Sequence, residues 1–153
     1  MRKFFFALAI ILSGCVTDRN FNQSNVCDIF KTNPQWKSYA EKTKEKWGVP
    51  VSLQLSFIKQ ESSFNRTARP PRQKVLGFIP GLRPSSAYGY SQALEGTWEE
   101  YQQSTGNYNA DRKNFADASD FIGWYVDGSY RLLKLEKSDV YNHYLAYHEG
   151  KGG

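Results

Sequence analysis

Large apolar residues recur at three- and four-residue intervals in five separate parts of this 153-residue chain. No stretch alternates with the period of two that a half-buried strand requires, and no hairpin signal competes. That periodicity limits the chain to a mainly α fold, and its length to one small domain with a single core. Trp36, Tyr39, Ala40, Thr43 and Trp47 form the first pattern, opened by Pro34 after Thr32-Asn33 and closed by Gly48. Val49-Pro50 then leads into a second pattern from Val51 to Phe64, so the two make a tight helical hairpin with Trp36 and Trp47 in its core. Ala93, Leu94, Trp98 and Tyr101 form the third. Phe115, Ala118, Phe121, Ile122, Tyr125, Val126, Leu132, Leu133 and Leu135 mark a long buried helix, and Ser138-Asp139 caps a last one that runs through Tyr147 to Gly150.

The second pattern carries a residue out of keeping with it. Glu61 follows Phe57 by four positions and Ile58 by three, so its carboxylate shares a stripe with two large apolar side chains. Ionisation there costs desolvation, which raises the pKa and favours the protonated form that a general acid needs. A helix-terminal Glu that turns back to water is the other reading of this stretch alone. A Tyr hydroxyl from the last helix is placed to meet this carboxyl across the helices; a core Tyr with its hydroxyl at the surface is the alternative. Asp117 and Asp120 sit in the first turns of the long helix, where acids more often cap the helix or meet solvent than project toward a groove.

Between the second and third patterns, Asn65 to Ser86 holds Pro70, Pro71, Pro80 and Pro84 with Gly77 and Gly81, and it reads as a long loop beside Glu61. Arg66, Arg69, Arg72, Lys74 and Arg83 give it a positive rim. Elsewhere Lys and Arg interleave with acids, so the net charge of +5 does not form a nucleic-acid stripe. The 24 aromatic residues suit either a large core or a groove lined with stacking faces, and sugar rings are among the ligands of such grooves.

The N-terminus reads as an address. Arg2-Lys3, an apolar run from Phe4 to Leu12 too short to span a bilayer, and Leu12-Ser13-Gly14-Cys15 describe a secretory leader over residues 1–14. Residues 16–26 are polar and Asn-rich and read as a tether, with the folded domain at 27–153. The second cysteine, Cys27, is expected as a small buried hydrophobe ahead of the first helix. Two histidines and one spare thiol do not fill a zinc shell, so no metal is expected.

Four short motifs carry a family resemblance. Leu12-Ser13-Gly14-Cys15 resembles a bacterial lipobox, which implies a lipid on Cys15. Glu61-Ser62-Ser63-Phe64, Ala87-Tyr88-Gly89-Tyr90-Ser91-Gln92 and Ala146-Tyr147-His148-Glu149-Gly150 resemble, in order, the Glu-Ser-x-Phe, Gly-Ala-x-Gly-Leu-Met-Gln and Ala-Tyr-Asn-x-Gly motifs of the lytic murein transglycosylases of the soluble-transglycosylase type. Their lysozyme-like domain is related to goose-type lysozyme. The resemblance covers roughly residues 25–150 and implies a lysozyme-like helical domain with a long Pro-rich loop after the catalytic helix. It implies Glu61 as the single catalytic acid and base, Tyr147 as the tyrosine that contacts it, and Ser62, Ser63, Tyr88, Tyr90, Gln92 and His148 with Tyr147 along the glycan groove. No cofactor is implied. The implied partner is peptidoglycan, with a monomer held by its lipid to the membrane, on the outer membrane facing the periplasm since Val16 is not the retention Asp. Ser86 for Gly, Tyr90-Ser91 for Leu-Met and His148 for Asn depart from the pattern, so sugar contacts near the cleavage point are expected to differ.

Overall fold

A computed structural model describes residues 21–150; the expected leader and Cys15 lie outside the described residues. The chain is mainly helical, with α1 at Val26–Thr32, α2 at Pro34–Trp47, α3 at Val51–Ser62, a two-stranded ribbon of β1 at Lys74–Val75 and β2 at Ile79–Pro80, then α4 at Glu95–Thr105, α5 at Phe115–Leu133 and α6 at Val140–Glu149. Among the described residues no helix is long and apolar enough to cross a membrane.

α5 is the axis of the core. Its residues from Phe121 through Val126 are all buried, which its near-continuous apolar sequence requires. α2 lies along it so closely that a Cβ on Gly123 would stand 2.5 Å from the Trp47 ring and 2.7 Å from the Thr43 methyl. A buried polar seam joins α2, α3 and α5: Ser119 Oγ donates to Gln54 Oε1 at 2.6 Å, while Gln54 Nε2 donates to the carbonyls of Val49 and Ala40 at 2.9 and 3.1 Å. Every polar atom of that amide is therefore satisfied inside the core, as burial demands. Asp120 ties three helices together from the same axis, accepting from Trp47 Nε1 and the Tyr101 hydroxyl, both at 2.8 Å, and from Lys46 Nζ at 2.9 Å.

Helix limits follow the local chemistry. Pro34 stands at the first position of α2, and Gly48 closes it in the left-handed region at φ 68°. Asn114 and Asp139 cap α5 and α6 with side-chain oxygens that accept from Ala116 and Asn142 N–H groups.

Several expectations change. The supposed tether is structured from Phe21 onward: the Phe21 ring meets Phe64 edge-on at 5.7 Å, Lys59 Nζ donates to Ser24 Oγ at 2.9 Å, and Asn25 caps α1. Cys27 is exposed and lies within α1, because the short helix turns its apolar side, Ile29, inward instead. Leu132 and Leu133 are exposed in the last turn of α5, and Leu135 lies past it. Trp36 and Trp47 are only partly buried, as flanks of the core. The Pro-rich loop contains a ribbon that its irregular spacing hid.

Candidate active site

α3 delivers Glu61 at its last turn. Phe57 and Ile58 are buried, so the stripe they share with Glu61 faces the core, and the chain then breaks sharply away. Ser63 and Phe64 both adopt left-handed backbone, at φ 49° and 58°, a costly pair for residues with a Cβ. The Phe64 ring holds that break, stacked on Trp36 at 5.6 Å inside an aromatic cluster with Tyr90 and Phe115. Ser62 is buried and donates its hydroxyl back to the Ile58 carbonyl of its own helix at 3.0 Å, so it is turned inward and away from a sugar. Ser63 is exposed.

The Glu61 side chain is 10 % exposed, and its buried Oε1 has no hydrogen-bond partner among the described residues. Burial raises its pKa above the ordinary 4.5. The Tyr144 hydroxyl, by hydrogen bonding, and then the nearby His148 oppose that rise without cancelling it. His148 Nε2 stands 3.5 Å from Oε1 and 2.8 Å from the Tyr144 oxygen, so Glu61, Tyr144 and His148 form one polar constellation at the mouth of the core. Burial first, and the Glu61 charge second, push Tyr144 up to about 12.

Two tyrosines of α6 lie near Glu61, and Tyr144 is the one that shares His148 with it. Tyr147 instead donates to the Ser91 carbonyl at 2.6 Å, and its ring packs edge-on to Phe57 at 5.3 Å. Burial and the Glu61 charge hold its hydroxyl protonated, with a pKa far above the ordinary tyrosine value. Tyr144, Tyr147 and His148 lie three and four residues apart on α6, and that spacing alone would have brought Tyr144 into consideration.

The middle motif is a backbone device. Gly89, at φ 76°, passes so close to Arg112 that a Cβ would stand 2.0 Å from the carbonyl oxygen. Its N–H donates to the Ala68 carbonyl at 3.0 Å, and Tyr90 N–H to Arg112 O at 3.1 Å. Gln92, at φ 50°, uses Nε2 to reach the carbonyls of Ala68 and Gly89 at 2.9 and 2.8 Å. Both amide hydrogens are thereby occupied, and Oε1 is the atom left for a ligand hydroxyl. Tyr88 lies under the Arg69 guanidinium, 3.9 Å from its ring centroid. Tyr90 turns the other way, its ring buried between Trp36 and Phe115, so it belongs to the core and not to a sugar groove.

A cavity of about 250 Å³ opens beside this constellation, lined by Gln92, Thr97, Tyr125, Tyr147, His148 and Glu149 among others. It brings Gln92 and His148, from separate motifs, to one surface. Asp117 and Asp120 are elsewhere engaged: Asp117 accepts from Asp111 N–H at 3.0 Å, and Asp120 holds the helices described above.

One helical domain with a partly desolvated carboxyl, joined through His148 to a neighbouring cavity, has the layout of a lysozyme-like glycan-cleaving domain. The family model for the Transglycosylase SLT domain matches residues 3–153, nearly the whole chain, and the chain belongs to that family. Its substrate class is accordingly the glycan of peptidoglycan, and its activity that of a lytic transglycosylase. No curated protein matches the chain.

Proposed function

We propose that the protein cleaves the β-1,4 bond between N-acetylmuramic acid and N-acetylglucosamine and leaves 1,6-anhydromuramic ends, with Glu61 as acid and then base. The observation that carries this reading is a carboxyl 10 % exposed whose burial favours its protonated form. Protonated Glu61 donates to the glycosidic oxygen as the C1–O bond breaks, and the N-acetylglucosamine strand leaves with that proton. The muramic N-acetyl oxygen supports the electron-poor C1. Glu61, now ionised, takes the proton of the muramic C6 hydroxyl while O6 bonds to C1, which closes the anhydro ring and restores the acid. No water is consumed. Tyr144 and His148 steady the carboxylate during the interval in which it is charged. Gln92, Tyr88, Ser63 and the cavity-lining faces of Tyr147 and His148 are the proposed glycan contacts, with Gln92 Oε1 an acceptor for a sugar hydroxyl.

Hydrolysis is the second reading, because Glu149 lines the same cavity and offers a carboxylate to activate water. Digesting purified sacculi separates the two. Transglycosylation yields muropeptides lighter by one water than hydrolysis products, and reducing ends would establish hydrolysis. Glu61→Gln is expected to abolish release in either case; unchanged wall turnover in cells with that variant would instead mark a glycan-binding protein without catalysis.

The proposal extends to placement: residues 1–14 removed as a leader, Cys15 lipidated, and a monomer held on the outer membrane facing the periplasm. Incorporation of labelled fatty acid that disappears in Cys15→Ala is the corresponding test.

A further inference from the structure

From Asn65 to Leu94 the chain carries five basic residues, Arg66, Arg69, Arg72, Lys74 and Arg83, and no acidic one. The rest of the chain holds 15 of each sign, so the whole net charge of +5 resides in this segment. None of the five is in an ion pair among the described residues. The β1–β2 ribbon rises from the middle of it. Gln73 N–H donates to Leu82 O at 3.0 Å and Gly81 N–H to Gln73 O at 2.7 Å, while Val75 pairs with Ile79. Its tip turns through Leu76 and Gly77, both in the left-handed region at φ 53° and 80°. Such a turn favours Asn-Gly. A Leu at the first position is disfavoured by its backbone, and here it is also 78 % exposed, with Phe78 at 76 % and Leu82 at 83 %. Residues 75 to 82 contain no polar side chain.

We propose that this ribbon docks on a lipid bilayer with anionic headgroups, its apolar tip entering the interfacial layer and the basic segment meeting the lipid charges. Three features select a bilayer over a sugar or a protein. A glycan is recognised by hydrogen-bonding groups and flat aromatic faces, and the stretch from Val75 to Leu82 supplies no hydrogen-bonding side chain. A protein socket takes one face of a ribbon, whereas two-residue strands with a bulky apolar turn make a wedge exposed all round. An apolar wedge behind which cations gather, with no acid to repel lipid phosphates, has the charge order of an interfacial anchor. Reach is sufficient too: four residues per arm at about 3.3 Å each extend about 13 Å, against the 5–10 Å that interfacial segments enter.

The segment that leads into the ribbon is bonded to the site. Ala68 O accepts from both Gly89 N–H and Gln92 Nε2, so docking would fix the height of Gln92 above the bilayer and direct cleavage to the glycan nearest the membrane. That consequence rests on the function proposed above; binding to the bilayer does not.

Hydrogen exchange of the full chain, with phosphatidylcholine vesicles containing or lacking phosphatidylglycerol, tests the docking without any glycan. Amides in residues 73–83 are expected to exchange about tenfold more slowly with the anionic vesicles alone, and Leu76→Ser combined with Phe78→Ser to abolish that protection. A lipid on Cys15 cannot mimic the result, since the readout is local and the double variant keeps Cys15. Cleavage of sacculi in the absence of vesicles is expected to stay unchanged in the double variant. Exchange in 73–83 that is indifferent to anionic vesicles, or that slows only when a second protein or sacculi are added, overturns the proposal.

Discussion

The Tyr147 hydroxyl donates to the Ser91 carbonyl at 2.6 Å, and this bond joins the last motif of the sequence to the middle one. Ser91 is fully buried, so its carbonyl depends on a protein donor. Tyr147→Phe keeps the ring contacts with Phe57 and Tyr125 but strands that oxygen, at a cost of about 1–3 kcal/mol. A lower urea midpoint with partial retention of sacculus digestion is expected. Complete loss of digestion in a folded variant would instead place the hydroxyl in the chemistry.

Glu61 gives a stability signature opposite in sense to its activity. Burial holds the folded-state pKa above 4.5, so the fold favours the protonated carboxyl. The stability this contributes is complete below pH 4.5 and is lost as pH rises through the raised folded value. Glu61→Gln is neutral at every pH and keeps it. The variant is therefore expected to melt a few °C above wild type at pH 7 and level with it near pH 4, while glycan cleavage is abolished. Equal melting temperatures at both pH values would show that Glu61 is not desolvated.

The buried ring of His143 works in the reverse direction. Burial lowers its pKa below the ordinary 6.5, against weaker opposing effects from the Glu136 carbonyl, which lies 3.0 Å from Nε2, and from Asp139. The neutral ring is the folded form, so its stabilisation is full above pH 6.5 and is lost as pH falls through that value toward the depressed one. This matters for the site because α6 also carries Tyr144, Tyr147 and His148. His143→Gln should flatten the fall in urea midpoint between pH 7 and pH 5; an unchanged slope would assign the acid sensitivity to another group.

How much of this was legible in the sequence depended on whether a residue's task is local. Pro34, Gly48 and Asp139 set helix limits through their own backbone or side chain, and each stands where expected. Gly89 announced a close approach, though not that Arg112 makes it. Long-range pairings were less visible. Tyr147 was the expected partner of Glu61, yet its hydroxyl is committed to Ser91, while Tyr144, one turn earlier on α6, shares His148 with Glu61. Tyr90 and Ser62 lie inside motifs that point to a groove, but one packs in the core and the other bonds back to its own helix. The ribbon escaped notice because two-residue strands leave no alternation to read, and α1 because a seven-residue helix shows one buried position, Ile29.

Gly89→Ala tests the middle motif through its backbone. The added methyl meets the Arg112 carbonyl at 2.0 Å and must also accept φ 76°, two penalties that together exceed about 2 kcal/mol. The change also displaces the Ala68 and Gln92 bonds made around that turn. Both a lower thermal midpoint and a loss of digestion are expected, since the same backbone supports fold and site. A normal midpoint would mean that the turn re-forms without this approach.

Asp120 separates a structural acid from a reacting one. Its carboxylate accepts from Lys46, Trp47 and Tyr101, and so links α2, α4 and α5 on the far side of the long helix's first turns. Tyr101, pressed against it in the core, has its pKa raised by burial first and by this carboxylate next, which keeps the phenol a donor. Asp120→Asn removes the charge and replaces one acceptor oxygen with a donor that faces other donors, so about 2 kcal/mol of stability should go. Cleavage measured per folded molecule is expected to persist. If digestion stopped while the protein remained folded, Asp120 would be acting as a second carboxylate in the reaction, and the single-acid mechanism built on Glu61 would have to be abandoned.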